Sequence, residues 1–404
     1  MTERLLFATR RPPFPLDNGA KIRAHRLAGG LAKEFEVVLL TFAHDPASPD
    51  GAPDLGALRA SLPDVEIVTV RGLGAGKRWR QALSLASPRS FEFGRYRLRR
   101  FGAELDRLSR AWRPNVVHFD DPAVAAFGPM PGALNVFFPP NIEHRVIRDN
   151  ARAAGLTRRA FGEVEWRRVQ RDEFRAAQMA DLCVAVSDAD AGVLRVAGVR
   201  RVEICPNGTD RVETLPPPRR ESGETFRMLF IGSGAYRPYE VGLAWFLESV
   251  YPRLAEVVPS SFDVVGERPK RPREGRGVTY HGRVPSVSPY YERAHALVVP
   301  VFEGSGTRLK VIEAAALGRP IVSTTLGAEG LGLSAGIHYR RADDAATFAS
   351  ELIALARELE QPTTLTPMLH AARSVAEGMF WDVITEKLVN TYRAAALSRE
   401  AVRG

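Results

Sequence analysis

At 404 residues the chain exceeds what one ordinary hydrophobic core serves, so two domains of about 200 residues each are expected. An apolar share of 45% and a charged share of 25% exclude general disorder. The opening MTERLLFATRRPPFP is too briefly apolar for a signal peptide or a membrane span, and no later apolar run reaches about 18 residues, so a cytoplasmic protein is expected.

In chain order, short aliphatic runs recur between longer amphipathic stretches: LLFAT at 5–9, EVVLLTF at 36–42, VEIVTV at 65–70, NVVHF at 115–119 and LNVFF at 134–138. Runs without polar alternation suit strands covered on both faces, which predicts a parallel, doubly wound α/β domain. The formal charge of +9 is concentrated, since twelve Lys or Arg stand against three acids between Arg71 and Arg113, including Lys77-Arg78-Trp79-Arg80. Basic residues beside Trp and aliphatics fit peripheral contact with an anionic membrane or a polyanionic glycan, and fit equally a solvated arginine-rich helix face. Nucleic acid is not expected, because no binding motif accompanies the charge.

LCVAV at 182–186 and VEICPNG at 202–208 close the first half. They hold Cys183 and Cys205, the only cysteines, which read as small core residues rather than a disulfide or zinc framework. Proline-rich, aperiodic residues 209–227 predict a linker between an N-terminal domain of 1–208 and a C-terminal domain of 228–368. The second half restarts with MLFIGSG at 228–234, then FDVVGE, VTYHG, ALVVPVF and PIVST. Helices are expected at 242–256, 287–295, 308–317 and 346–360, and a final helical stretch within 369–404 packs back towards the N-terminal domain. There Phe380-Trp381 is expected to pack on a domain surface.

The strongest local signal runs from Val298 to Thr324. A buried strand enters Glu303-Gly304-Ser305-Gly306-Thr307, and a helix opens at Thr307 or Arg308. Glycines admit a ligand close to the backbone, and the amides of a new helix attract a diphosphate. Arg308 and Lys310 place cations where a helix start on its own favours acids, which points to an anionic ligand. Glu313, one turn beyond Lys310, can accept both hydroxyls of a ribose. Taken alone, Gly-Ser-Gly is also an ordinary strand-to-helix loop. In the first half, His118 and Asp120-Asp121 follow a strand end where a substrate binds in open α/β sheets, although a lone His there is as often structural.

Gly304-Ser305-Gly306-Thr307-Arg308-Leu309-Lys310-Val311-Ile312-Glu313-Ala314 resembles the donor motif of group 1 glycosyltransferases of the GT-B fold, in the branch reading Gly-x-Gly-Thr-Arg-Leu-Lys. GRPIVSTTLGAEGL at 318–331, CPNGTD at 205–210, AVSDAD at 185–190 and WFLESVYPRL at 245–254 match in order, so the resemblance covers most of the chain. It implies two Rossmann-like domains facing across a cleft and metal-independent transfer of a sugar, with retention, from a nucleotide-diphosphate sugar. That sugar is a co-substrate, and no cofactor is implied. The acceptor implied is a glycan, a lipid-linked glycan as in polysaccharide biosynthesis, or a small molecule.

The resemblance also places Glu303 by the donor sugar and Glu313 on the ribose, although nine residues separate them where the family has seven. Arg237, in the turn Gly232-Ser233-Gly234-Ala235-Tyr236-Arg237, matches a phosphate-binding basic residue, and Gly282 with Arg283 lies where the base pocket falls. In PLDNGAKIRAHRL at 15–27, Gly19 corresponds to a glycine facing the acceptor. The family's His-Asn-x-Glu reads Pro140-Asn141-Ile142-Glu143-His144 here, and the sequence leaves open whether His118 or His144 replaces the missing histidine or the sugar contact is made differently. Asp120-Asp121 lacks the surroundings of a metal-binding Asp-x-Asp.

Rival expectations are a nucleotide-sugar epimerase of the same fold and a catalytically inactive binding or scaffold protein. A nicotinamide oxidoreductase fits poorly, because no Gly-x-Gly-x-x-Gly follows the first strand.

Overall fold

The computed structural model of the chain describes residues 2–43, 54–72, 84, 88–152, 156–304, 306–361 and 364–403. Ser305 and the Lys77-to-Arg80 cluster therefore lie outside the described residues. Two compact units form, one from Met1–Asn207 with Trp381–Gly404 and the other from Gly208–Phe380.

Among the described residues of the first unit seven strands make one parallel sheet: β1 (Arg4–Ala8), β2 (Glu36–Phe42), β3 (Val65–Val70), β4 (Val116–Phe119), β5 (Leu134–Phe137), β6 (Leu182–Ala185) and β7 (Val202–Ile204). Their order is β3-β2-β1-β4-β5-β6-β7. The unbroken apolar runs are explained by helices on both faces, since Leu5, Leu6, Phe7 and Ala8 are all fully buried whichever way they point. Each large side chain so buried stabilises the unit by roughly 1.5–3 kcal/mol. After β3 the chain returns to the other side of β1 to form β4, and this reversal opens a crevice at the carboxyl ends of β1 and β4.

The second unit repeats the plan with β8 (Phe226–Ile231), β9 (Ser260–Val265), β10 (Val278–Gly282), β11 (Ala296–Val299), β12 (Ile321–Ser323) and β13 (Arg340–Arg341), ordered β10-β9-β8-β11-β12-β13 and parallel throughout. Its core joins Phe226, Met228 and Phe230 of β8 to Phe246, Phe262 and Phe348. The corresponding reversal lies between β8 and β11. Both units are therefore Rossmann-like, and β13 is a strand that the sequence reading did not include.

Three expectations about elements change. The helix expected at 242–256 begins at Arg237 and ends at Trp245, and a π turn at Phe246–Val250 precedes a short helix at Tyr251–Ala255. Pro252 cannot donate to the helical ladder, and the hydrogen-bond register shifts ahead of it. The final helical stretch is two helices, Thr366–Glu377 and Trp381–Arg403, which belong to different units. The break falls where Phe380, fully buried, bridges to Thr209, whose amide donates to the Met379 carbonyl at 2.9 Å. Residues expected as a linker are irregular up to β8 and are fastened to the second unit: Leu215 N–H donates to the Leu317 carbonyl, and Arg220 reaches Glu360 at 2.6 Å.

The helix Trp381–Arg403 completes the first unit. It buries Ile384, Leu388 and Tyr392 and packs closely on the helix Gly19–Leu31, where a β-carbon on Gly30 would stand 2.4 Å from Thr385.

Candidate active site

The second unit gathers most of the singled-out residues at the β8/β11 reversal. After β11, Glu303 and Gly304 lead to the helix Leu309–Ala316, one residue later than expected, with Arg308 at its N-cap. Gly304 has φ +99° and Gly306 φ +85°, so these positions need glycine. A β-carbon on Gly304 would also stand 2.9 Å from Pro238 and 3.1 Å from the Tyr236 hydroxyl. The N-cap residue of this helix, Arg308, makes no side-chain cap hydrogen bond to it. Its first amides and dipole therefore suit an anion.

Arg308 is buried and folds back, donating to the carbonyls of Gly306 at 2.6 Å and Gly304 at 3.2 Å. It thus clamps the loop, and burial lowers its pKa. Lys310, 6% exposed, reaches across to the end of β8, where its ammonium donates to the Ile231 carbonyl. Burial, then neighbouring Arg308, drive its pKa down to about 7, against the pull of Glu313. Glu313 accepts from the Tyr291 hydroxyl at 3.1 Å, and burial raises its pKa. Leu309 opens the helix beside half-buried Thr307.

Arg237 is the first residue of a helix, and its guanidinium pairs with Glu303 at 3.0 Å. The two groups expected separately at phosphate and at sugar are thus paired with each other. Gly282 ends β10 at φ +70°, with open space where a β-carbon would stand. Beside it Arg283 meets Glu267 at 3.0 Å, which in turn accepts from Ser233 at 3.3 Å. The sequence reading missed Tyr239 and Tyr291, which brace Lys310 and Glu313. Their helical spacing looks like ordinary core packing, so only the three-dimensional contacts reveal them.

In the first unit the β1/β4 crevice holds a cavity of about 230 Å³ lined by residues that include Thr9, Arg10, Arg11, Lys21, Asp121 and Glu143. Arg10, also missed, is buried and meets Asp121 at 2.7 Å, Glu143 at 3.1 Å and Glu92 at 3.6 Å. Burial raises the Asp121 carboxyl to about 7; Arg10 pulls it down and Glu143 pushes it up. Asp120 also lines the cavity and pairs with buried Arg23. These two acids thus face guanidinium groups. Gly19 begins its helix in an exposed position, after Asn18, whose side chain accepts from Lys21 N–H.

Neither histidine occupies the place left by Pro140, which itself lines the cavity. His118 is fully buried, stacked on Phe7 at 4.2 Å with Nδ1 2.7 Å from the Tyr392 hydroxyl, and burial lowers its pKa. Of the two roles open to it, these contacts are those of a structural histidine. His144, buried too, joins Glu173 at 2.6 Å and has Gln170 near its other nitrogen. Its ring nitrogens thus face Glu173 and Gln170, which lie on the helix Leu156–Met179. Both cysteines are buried, and burial pushes their thiols up to about 12.

Two parallel sheets of Rossmann order, with cations and a helix start at a reversal point, define the class: an α/β protein of the GT-B kind. Residues 17–213 match the family described as Glycosyltransferase Family 4, and residues 225–358 match Glycosyl transferases group 1, so a glycosyltransferase family model matches within each unit. No curated protein matches the chain. Among solved structures, the fold is similar to that of sucrose-phosphate synthase from Thermosynechococcus elongatus, with TM-score 0.67, 17% identity, and coverage of 98% of this chain and 100% of that one. Anabaena Alr3699/HepE in complex with UDP and glucose gives 0.63, 13%, 96% and 99%. WaaG, a glycosyltransferase involved in lipopolysaccharide biosynthesis, gives 0.63, 16%, 96% and 99%. Among the described residues no helix is long and apolar enough to cross a membrane.

Proposed function

We propose that the protein transfers a sugar, with retention and without a bound metal, from a nucleotide-diphosphate donor held on its second unit to a glycan, lipid-linked or small-molecule acceptor. The observation that carries this reading is the convergence of Lys310, Arg308, Arg237 and the start of the helix Leu309–Ala316 at the β8/β11 reversal. The UDP bound to Alr3699/HepE, a protein of similar fold, supports a uridine nucleotide as the first donor to test.

The chemical task is to stabilise a departing nucleoside diphosphate while positive charge grows on the sugar. Preorganised amides at 306–308 and nearby cations meet that charge without reorganising, which is where most electrostatic catalysis arises. The donor phosphates compete with Glu303 for Arg237, and the released carboxylate turns to the sugar. Glu313, held by Tyr291, receives the ribose hydroxyls. The leaving phosphate removes the acceptor proton. Acceptor hydroxyls bind in the first unit's polar cavity, and the basic stretch 71–113 supports peripheral contact with the inner face of the cell membrane.

The test is a panel of nucleotide sugars screened by thermal shift, because a ligand of the folded state alone raises the melting temperature. Release of nucleoside diphosphate with an acceptor is then measured, with and without a chelator. Lys310→Met should cut turnover about a hundredfold or more, the scale of a lost electrostatic contact at the transition state, with the fold retained. Unchanged turnover would overturn the assignment. A second reading, a donor-binding protein without turnover, draws on the engaged His118 and His144. It predicts a thermal shift with no nucleotide release for every donor and acceptor pair.

A further inference from the structure

We propose that Tyr239 is a positioning residue for the donor diphosphate, its ring holding the Lys310 ammonium at the mouth of the Gly232 turn. The proposal rests on the donor reading above and adds a residue that no motif contains.

Lys310 starts on the β11 side of the reversal, yet its ammonium ends beside β8. It lies 3.6 Å from the centroid of the Tyr239 ring and 4.5 Å from that of Phe230. An ammonium carries three donors, and among the described residues its hydrogen-bond partner is the Ile231 carbonyl. Two donors are left for a ligand at the turn.

The ring cannot turn freely. Its edge contacts are T-shaped, with Phe230 at 5.8 Å and Tyr236 at 5.1 Å, and this geometry keeps a face for the cation. Gly232 completes the seat: a β-carbon there would stand 2.8 Å from Lys310 Nζ and 2.6 Å from Tyr239 Cδ2. A larger residue at 232 would press on both side chains, so the glycine lets the turn's backbone lie against the ammonium. The helix Arg237–Trp245 that supplies the ring also supplies Arg237, so one rigid element sets two of the donor-facing groups.

A ring face attracts a cation most where water is scarce. Lys310 is buried beside Arg308, and both features disfavour its charge. An aromatic face then helps decide whether the ammonium stays charged and in place.

The test is a double-mutant cycle read by calorimetric titration of UDP, GDP and ADP, with the melting temperature of each variant measured alongside. Tyr239→Phe keeps the ring face and should bind within about twofold of wild type, whereas Tyr239→Leu should bind about tenfold more weakly. In a Lys310→Met background the Leu change should cost less than about twofold, since the group it positions is gone. Equal losses in both backgrounds, or a loss for Phe as large as for Leu, would overturn the proposal. If Tyr239→Leu does not fold, Tyr239→Met takes its place in the same cycle. Wild-type protein that binds none of the three nucleotides refutes the donor reading itself, a result distinct from a failed cycle.

Discussion

A lysine pushed to about 7 responds oppositely in folding and in binding. Between about pH 7 and the ordinary lysine value, the unfolded chain binds the Lys310 proton and the folded chain does not, so this group's contribution to stability grows as pH rises. Diphosphate needs the ammonium, so affinity falls over the same window and binding takes up a proton. UDP affinity is expected to drop about tenfold or more from pH 7 to pH 9, and Lys310→Met should flatten that slope. Titrations in buffers of different ionisation enthalpy measure the proton uptake directly. Arg237 and Glu303 are each close to half exposed, so their mutual pair contributes about 0–1 kcal/mol and yields readily to a charged ligand.

At the scale of elements, the site depends on how closely the helix Arg237–Trp245 approaches the β11 loop. Gly242 makes that approach, and a β-carbon there would lie 1.7 Å from the Pro300 carbonyl oxygen. Gly242→Ala must therefore push the helix outward and carry Arg237 and Tyr239 with it. A loss of about 3 kcal/mol in urea unfolding and a raised KM for the donor are expected. The helix itself was legible only in part. Its amphipathic period predicts a start at 242, but Pro238 after Arg237 sets the start, and Pro252 divides the far end into a π turn and a short helix.

Across the whole molecule, the last helix finishes a unit begun nearly 400 residues earlier. Tyr392 and His118, 274 residues apart, share a buried hydrogen bond of 2.7 Å beneath the β1/β4 crevice. Removing the hydroxyl leaves a buried ring nitrogen without its partner, at a cost of about 1–3 kcal/mol. Tyr392→Phe should speed hydrogen exchange of β1 and β4 amides while those of β8 and β11 stay unchanged. Equal acceleration in both units would mean that the two unfold as one.

Periodicity and composition by themselves determined that two parallel α/β domains exist, because a strand covered on both faces must be apolar at every position and that pattern is local. The glycines at 304 and 306 and the cations at 308 and 310 were legible for the same reason, since strand, turn and helix start are consecutive. The tertiary structure alone decided which polar groups are reachable. His118 stands at a strand end, where the sequence allows a catalytic or a structural histidine, and a tyrosine from the last helix buries it. Arg10, Tyr239 and Tyr291 carry no motif, and they count because packing brings them against Asp121, Lys310 and Glu313. Burial and ion pairing depend on segments far apart in the chain, so no local reading reaches them.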